Sequence, residues 1–464
     1  MSKEQQVIGY LPDERPPLWK LFLYALQQVI VMFPATVAVA IITGFHISTT
    51  IFASGLATIC FILVTGRKIP LYYGSSFSYV AAIGSLMGSQ ALAAYTLNEK
   101  IAVAQFGIVM SGFVSIAAGL IVKRFGRDAV EKLLPAAVTG PIAMIIGLTL
   151  AGNALKDAAS IAIDTAGTVA VAESQVSLAS NMAWIISLVT LISTILFSVY
   201  LKGIMGQLPL LFGPILGCLT AFIIKLATGI DLFKVLPEAA GNGIFALPIF
   251  TLPRASMMAV AAIMPVAIAT IPESTAHVYQ LDIYVNDLAQ KKKKDKKYNI
   301  ADKLGLNLIG DGLGDIISGF VGGPAGTNYG ENISAMAITR VFSIAVLIGA
   351  SIIAMVIACF TPLVNAIYSI PASVIGGLEI YLFGAIAAQG VAIMLEKKVD
   401  LFSSKNVAVI ATIMVIGVGG QYAFGGNIPF FGMEVPCIAG AAIFGIILNF
   451  ALSFAEKKAI KESK

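Results

Sequence analysis

Charge is scarce in this chain. Only 12% of its 464 residues are Asp, Glu, Lys or Arg, and it has two histidines, four cysteines and two tryptophans. So little charge does not cover the surface of a water-soluble domain. The cysteines Cys60, Cys218, Cys359 and Cys437 stand singly in apolar runs, with no CxxC pair. With so few histidines they leave no metal-ligand spacing, and no Cys–His or Ser–His–Asp arrangement argues for an enzyme. No metal or organic cofactor is expected. The first residues, MSKEQQVIGYLPDERPP, lack the apolar core of a cleaved signal peptide.

What is present is apolar. The chain is 58% hydrophobic, and its mean hydropathy is +0.90. Runs of roughly 18–25 apolar residues, each able to cross a ~30 Å hydrocarbon core, recur along it. The expected fold class is an all-α polytopic membrane protein with fourteen transmembrane segments. They fall near 18–43, 48–66, 71–84, 101–122, 133–152, 183–201 and 207–228, then 256–280, 303–322, 327–338, 341–366, 371–395, 404–420 and 434–456. The third and tenth are short and carry Gly and polar residues inside an apolar frame.

Basic residues test this count. With the N-terminus in the cytoplasm, loops after even-numbered segments are cytoplasmic too. Those loops and the two tails hold 25 of the 30 basic residues, leaving Lys100, Lys156, Lys225, Lys234 and Arg254 for the other side. Such a bias obeys the positive-inside rule and puts both termini in the cytoplasm, as in a multi-pass protein of the cell membrane. The run KKKKDKK (291–297) reads as a solvated stretch of one such loop. Nucleic acid or anionic lipid would also attract it, but no nucleic-acid partner is expected. The outer loop 153–182, with Asp157, Asp164 and Glu173, reads as a cover.

Fourteen divides as seven plus seven, and an odd half reverses its direction in the membrane. The two weak segments are the third of each half. Interrupted hydrophobic segments in corresponding positions point to a transporter's binding site. One reads Pro70-Leu71-Tyr72-Tyr73-Gly74-Ser75-Ser76-Phe77, the other Pro324-Ala325-Gly326-Thr327-Asn328-Tyr329-Gly330-Glu331. Each is expected to form a short strand and then a half-helix. Two such strands can pair and satisfy each other's backbone groups in the membrane. A pair of re-entrant loops in a channel shares the pattern.

Several side chains there carry chemistry. Glu331 is an acid at membrane depth, a functional-site candidate by default. Gly330 before it lets a ligand approach the backbone, and Tyr329 lies beside both. Glu273 and His277 in segment 8 are four apart and share a helix face. A carboxylate beside an imidazole suits proton coupling; a tie between helices is the alternative. Phe77 offers a ring on which a flat ligand stacks. Carboxylates accept N–H donors and backbone amides donate to carbonyls, so the set suits a small planar molecule such as a nucleobase. Asp311, Asp315 and Glu379, with Phe383 nearby in segment 12, are additional candidates for a proton or cation site.

The run from Glu331 through Asn332, Ile333 and Ser334 to Thr339-Arg340 resembles the signature of the nucleobase–ascorbate transporters. Ser334 stands where that family has Gly. Glu14-Arg15-Pro16-Pro17, Met32-Phe33-Pro34-Ala35-Thr36, Lys68-Ile69-Pro70 and Gly74-Ser75-Ser76-Phe77 resemble its uracil branch. Gln28, Pro34 and Asp315 depart from it. The resemblance implies two inverted seven-segment repeats, a substrate between core and gate domains, an elevator-like motion and a homodimer. The core domain would be 18–128 and 256–366, and the gate domain 129–255 and 367–464, after a tail of 1–17. Glu273 and Glu331 would bond the base, Phe77 would stack on it, and Ala35 and the Gly330 backbone would line the pocket. His277 would join Glu273 in proton coupling. The expected function is proton-coupled uracil import. A purine or xanthine permease of the same fold, and an anion exchanger or channel on the same repeats, stand as alternatives.

Overall fold

The computed structural model describes residues 9–126, 134–161, 175–202, 208–234, 243–430 and 433–462. Residues 1–8, Arg127, Lys132, Asp164, Glu173 and Lys464 lie outside them. Apolar sequence in lipid must satisfy its backbone internally, so it coils. The chain opens with α1 (Leu18–Thr43) and α2 (Ile47–Val64), then strand β1 (Tyr73–Ser75) leads into the short α3 (Val80–Met87). Next come α4 (Leu97–Phe125), α5 (Ala136–Ala158), α6 (Val176–Tyr200) and α7 (Pro209–Thr228). A turn at Met264–Val266 joins α8 (Met257–Ile263) to α9 (Ala267–Lys291), and α10 (Leu304–Val321) follows. Strand β2 (Gly326–Asn328) leads into α11 (Gly330–Thr339), followed by α12 (Ile344–Ala358), α13 (Thr361–Tyr368), α14 (Ala372–Glu396) and α15 (Ser404–Phe424). A hairpin of β3 (Asn427–Phe430) and β4 (Met433–Pro436) precedes α16 (Cys437–Glu462). Among the described residues eleven helices are long and apolar enough to cross a membrane, α8 and α9 counting as one. Two shorter apolar helices span Phe77–Met87 and Ile344–Ala358.

The expected strands in segments 3 and 10 are present, and several segment bounds differ, segment 5 ending at Ala158 and segment 6 starting at Val176 among them. Segment 8, expected at 256–280, runs on to Lys291, where a 2.6 Å pair with Asp287 one turn back supports the projecting end. Segment 11, expected over 341–366, is two helices. Phe360 bridges to Phe245 at the break, and Pro362 starts α13 in the first turn where its missing N–H costs nothing. The β3–β4 hairpin occupies an expected loop and the start of segment 14. Gly425 and Gly426, at φ 64° and 101°, end α15 and turn the chain into it.

Helices meet closely where small residues face each other. A β-carbon on Gly112 of α4 would lie 2.4 Å from the Gly312 carbonyl of α10. One on Gly390 of α14 would lie 2.4 Å from the Gly140 carbonyl of α5. On α2, Gly55 meets the Ser351 carbonyl of α12 in the same way, at 2.6 Å.

The described end of the N-terminal tail is built into the fold. Leu11 is fully buried. Tyr10 N–H donates to the Arg340 carbonyl at 2.8 Å, and Phe342 N–H donates to the Tyr10 carbonyl at 2.7 Å. Glu14 pairs with Lys292 at 2.6 Å and Lys294 at 2.8 Å, and Asp13 with Lys296 at 2.6 Å. The lysine run, expected to be merely solvated, is therefore partly neutralised by acids far away in sequence. This strap ties the ends of α9 and α11 together at one end of the molecule.

Candidate functional site

Strands β1 and β2 pair antiparallel, Tyr73 with Asn328, Gly74 with Thr327 and Ser75 with Gly326. All six residues are buried. Groups outside the ladder find other partners, as buried backbone must. Tyr73 N–H donates to Thr58 Oγ1 at 3.0 Å, while Ser54 Oγ and Thr58 Oγ1 donate to the Tyr73 carbonyl at 2.9 Å. Tyr329 N–H donates to the Tyr72 carbonyl at 2.9 Å. Gly74 is required here, because a β-carbon would fall 2.4 Å from the Tyr329 ring.

The half-helices α3 and α11 start directly after the strands, the first through a turn at Phe77–Tyr79. Their first N–H groups have no intrahelical acceptor, which makes each start a donor site for oxygen. Between these starts lies a cavity of about 320 Å³. One wall is Ser75 to Ser78, the next is Thr327 to Glu331, and α9 adds Ala269, Glu273 and His277 from one helix face. Residues Ala143 and Ile146 of α5 close it, with Leu382, Ala385, Ile386, Gln389 and Ile393 of α14. Phe77, Glu273, His277 and Glu331 are all half-buried and face this space. A β-carbon at Gly330 would lie 2.9 Å from His277 Nε2, so the imidazole sits directly over that backbone. No Lys or Arg lines the cavity. Two carboxylates, donor N–H groups and one aromatic face suit a small, flat, uncharged molecule bearing N–H and C=O groups.

Not every candidate comes to this space. Tyr329 lines it, but its hydroxyl is turned to Thr36 Oγ1 at 2.9 Å and donates to the Ser75 carbonyl at 3.0 Å. Ala35 is buried in the core on α1, outside the cavity lining. Asp315 lies behind the strands and accepts from Gly326 N–H at 2.8 Å and from the Tyr73 hydroxyl. Asp311 accepts from Ser274, whose hydroxyl also takes bonds from Asn307 at 2.8 Å and Asn328 at 3.2 Å. Both aspartates thus support the strands and α9. Glu379 is fully buried on α14 with Asp157 and Lys234 as charged neighbours, and Phe383 is buried in the packing of α14.

Sequence reading did not find the α14 wall. Its only signal is a spacing of three and four between 382, 385, 386, 389 and 393, which any packed helix shows. Ile393 also lines a second cavity of about 360 Å³ that reaches Glu396, Lys397, Lys398 and Asp400 at the end of α14.

Comparisons with known proteins agree in kind. A family model described as "Permease family" matches residues 19–426. The chain is 35% identical over 447 residues to the uracil permease of Bacillus caldolyticus, covering 95% of this chain and 94% of that protein. It is 32% identical over 462 residues to the putative pyrimidine permease RutG of Escherichia coli (strain K12), covering 97% and 93%. Murine Slc26a9, an anion transporter solved in its inward-facing state, aligns with a TM-score of 0.63 at 12% identity, over 96% of this chain and 69% of that one. At that identity the likeness shows the fold alone.

Proposed function

The chain belongs to the permease family, that of the nucleobase–ascorbate transporters, and is a multi-pass membrane transporter rather than an enzyme; on that premise we propose that it imports uracil across the cell membrane with a proton. The observation that carries this reading is the meeting of Glu273, Glu331, Phe77 and two half-helix starts around one cavity. Glu273 and Glu331 accept the ring N–H groups, the backbone N–H groups of α11 donate to a ring carbonyl, and Phe77 covers the ring face. A proton taken up by Glu273, with His277 on the same face, neutralises one of two acids that share the cavity. It drives the cycle through its unequal affinity for the outward and inward states.

The architecture proposed is fourteen spans in two inverted repeats, with both termini cytoplasmic. Support comes from helix pairing. With the spans numbered along the chain and the halves exchanged, the α2–α12 pair maps onto α10–α4, and α6–α7 maps onto α15–α16. The β1–β2 and α5–α14 pairs map onto themselves. The core domain is then 18–128 with 256–366, and the gate domain 129–255 with 367–464. The core carries the base past the gate as an elevator, and two copies associate as a homodimer.

Uptake of labelled uracil into proteoliposomes tests the reading. Uptake should follow an inward proton gradient and fail in Glu331→Ala and Glu273→Ala. Transport untouched by both substitutions would remove the proposed site. Competition by unlabelled xanthine and adenine separates a purine permease from a uracil one. An anion exchanger of this fold would want a cationic group where the lining offers two carboxylates.

A further inference from the structure

All of the acidic and imidazole groups around the cavity come from α9 and α11, with hydroxyls and amides supplied by the two strand–helix junctions. The wall of α5 and α14 is otherwise apolar: Ala143, Ile146, Leu382, Ala385, Ile386 and Ile393. Gln389 is the exception. It is exposed and lines the cavity, and among the described residues its side chain makes no hydrogen bond to the protein. Its place on α14 is three residues after Ile386 and four before Ile393, so it shares their face. A carboxamide carries two donors and an acceptor. Projecting from an apolar wall, it gains a partner only from water or from what the cavity holds.

We propose that Gln389 contacts the substrate directly, donating its amide N–H to a carbonyl of the base from the α5–α14 wall. The inference rests on the uracil reading of the same site and adds a specificity residue to it. Carboxylates can take up ring N–H groups but give nothing to a ring carbonyl in return. The backbone and hydroxyl donors of the α3 and α11 starts all lie on the strand side of the cavity. Gln389 adds a donor from the opposite wall and lets the occupied cavity draw α14 toward α9 and α11. A base lacking a hard oxygen at that position binds more weakly.

Uptake kinetics in proteoliposomes test this, with uracil as the labelled substrate and 2-thiouracil and 4-thiouracil as competitors. In Gln389→Leu, KM for uracil should rise about fivefold to tenfold, the size of one neutral hydrogen bond, with a smaller change in Vmax. The wild type should prefer uracil to one thiouracil over the other, and Gln389→Leu should lose most of that preference. Gln389→Asn, which keeps the amide on a shorter stem, should recover part of it. Gln389→Ala carries the same expectation as Leu should the latter not fold. An unchanged KM and an unchanged thiouracil preference in a variant that still transports would overturn the role of Gln389 and leave uracil transport standing. A wild type that neither binds nor carries uracil would overturn both.

Discussion

At the scale of single residues, the site depends on what is missing as much as on what is present. Gly330 has no side chain, so His277 can lie over the backbone that starts α11. Gly330→Ala would put a methyl 2.9 Å from His277 Nε2. The ring must then move, and the N–H groups beside it lose their open approach. We expect KM for uracil to rise about tenfold, equivalent to ~1.4 kcal/mol of strain or lost contact, with folding retained. Uptake kinetics and the melting shift on adding uracil measure it, and an unchanged KM would show that the backbone there is not a contact. Glu273, His277 and Glu331 stand out in the sequence as candidates because an acid or a polar break in an apolar segment has few structural excuses, and Phe77 because it follows the Gly74-Ser75-Ser76 break. Asp311 and Asp315 carry the same signal and sit elsewhere. Composition does not distinguish an acid that holds strands from one that faces a cavity. Gln389 was not legible, since a glutamine on a helix raises no conflict that sequence can register.

At the scale of elements, the strap of residues 9–16 has a consequence that pH can read. Burial pushes the Glu14 carboxyl up, but hydrogen bonds from Lys292, Lys294 and the Leu11 N–H outweigh it and hold it at about 2, against an ordinary 4.5. The carboxylate is therefore favoured in the folded chain. The stability this contributes is whole above about 4.5 and is lost as pH falls toward about 2. Melting curves of the purified protein should show the wild type above Glu14→Gln at neutral pH, with the gap closing across that window. A gap that stays constant with pH would mean that Glu14 ionisation does not hold the strap. The broken segments 3 and 10 could be read from their Pro and Gly, because those residues punctuate local structure. The strap could not, since it joins acids and lysines far apart along the chain. Nor could the β3–β4 hairpin, whose strands are too short for an alternating pattern to rise above the surrounding apolar sequence.

At the scale of the whole molecule, the cavity shares a side chain with its neighbour. Ile393 lines both it and the second cavity, which reaches the charged end of α14. If substrate passes from one to the other, an indole at that point narrows its way. Ile393→Trp should keep its stabilisation by uracil while uptake falls at least tenfold, a separation of binding from passage. Uptake at the wild-type rate would mean that the route lies elsewhere. The number of apolar runs and the sidedness of basic residues made the membrane character legible. How helices pair was not, because lipid-facing and helix-facing apolar residues look alike. The ladder between β1 and β2 reaches further still, into how the protein is made. It joins residues 73–75 to 326–328. During synthesis the earlier strand leaves the ribosome with no mate, and bare peptide groups are not stable in hydrocarbon. Insertion of the first half therefore stays unfinished until the third segment of the second half has been translated. A chain cut short before Gly326 has no native resting place for its own third segment.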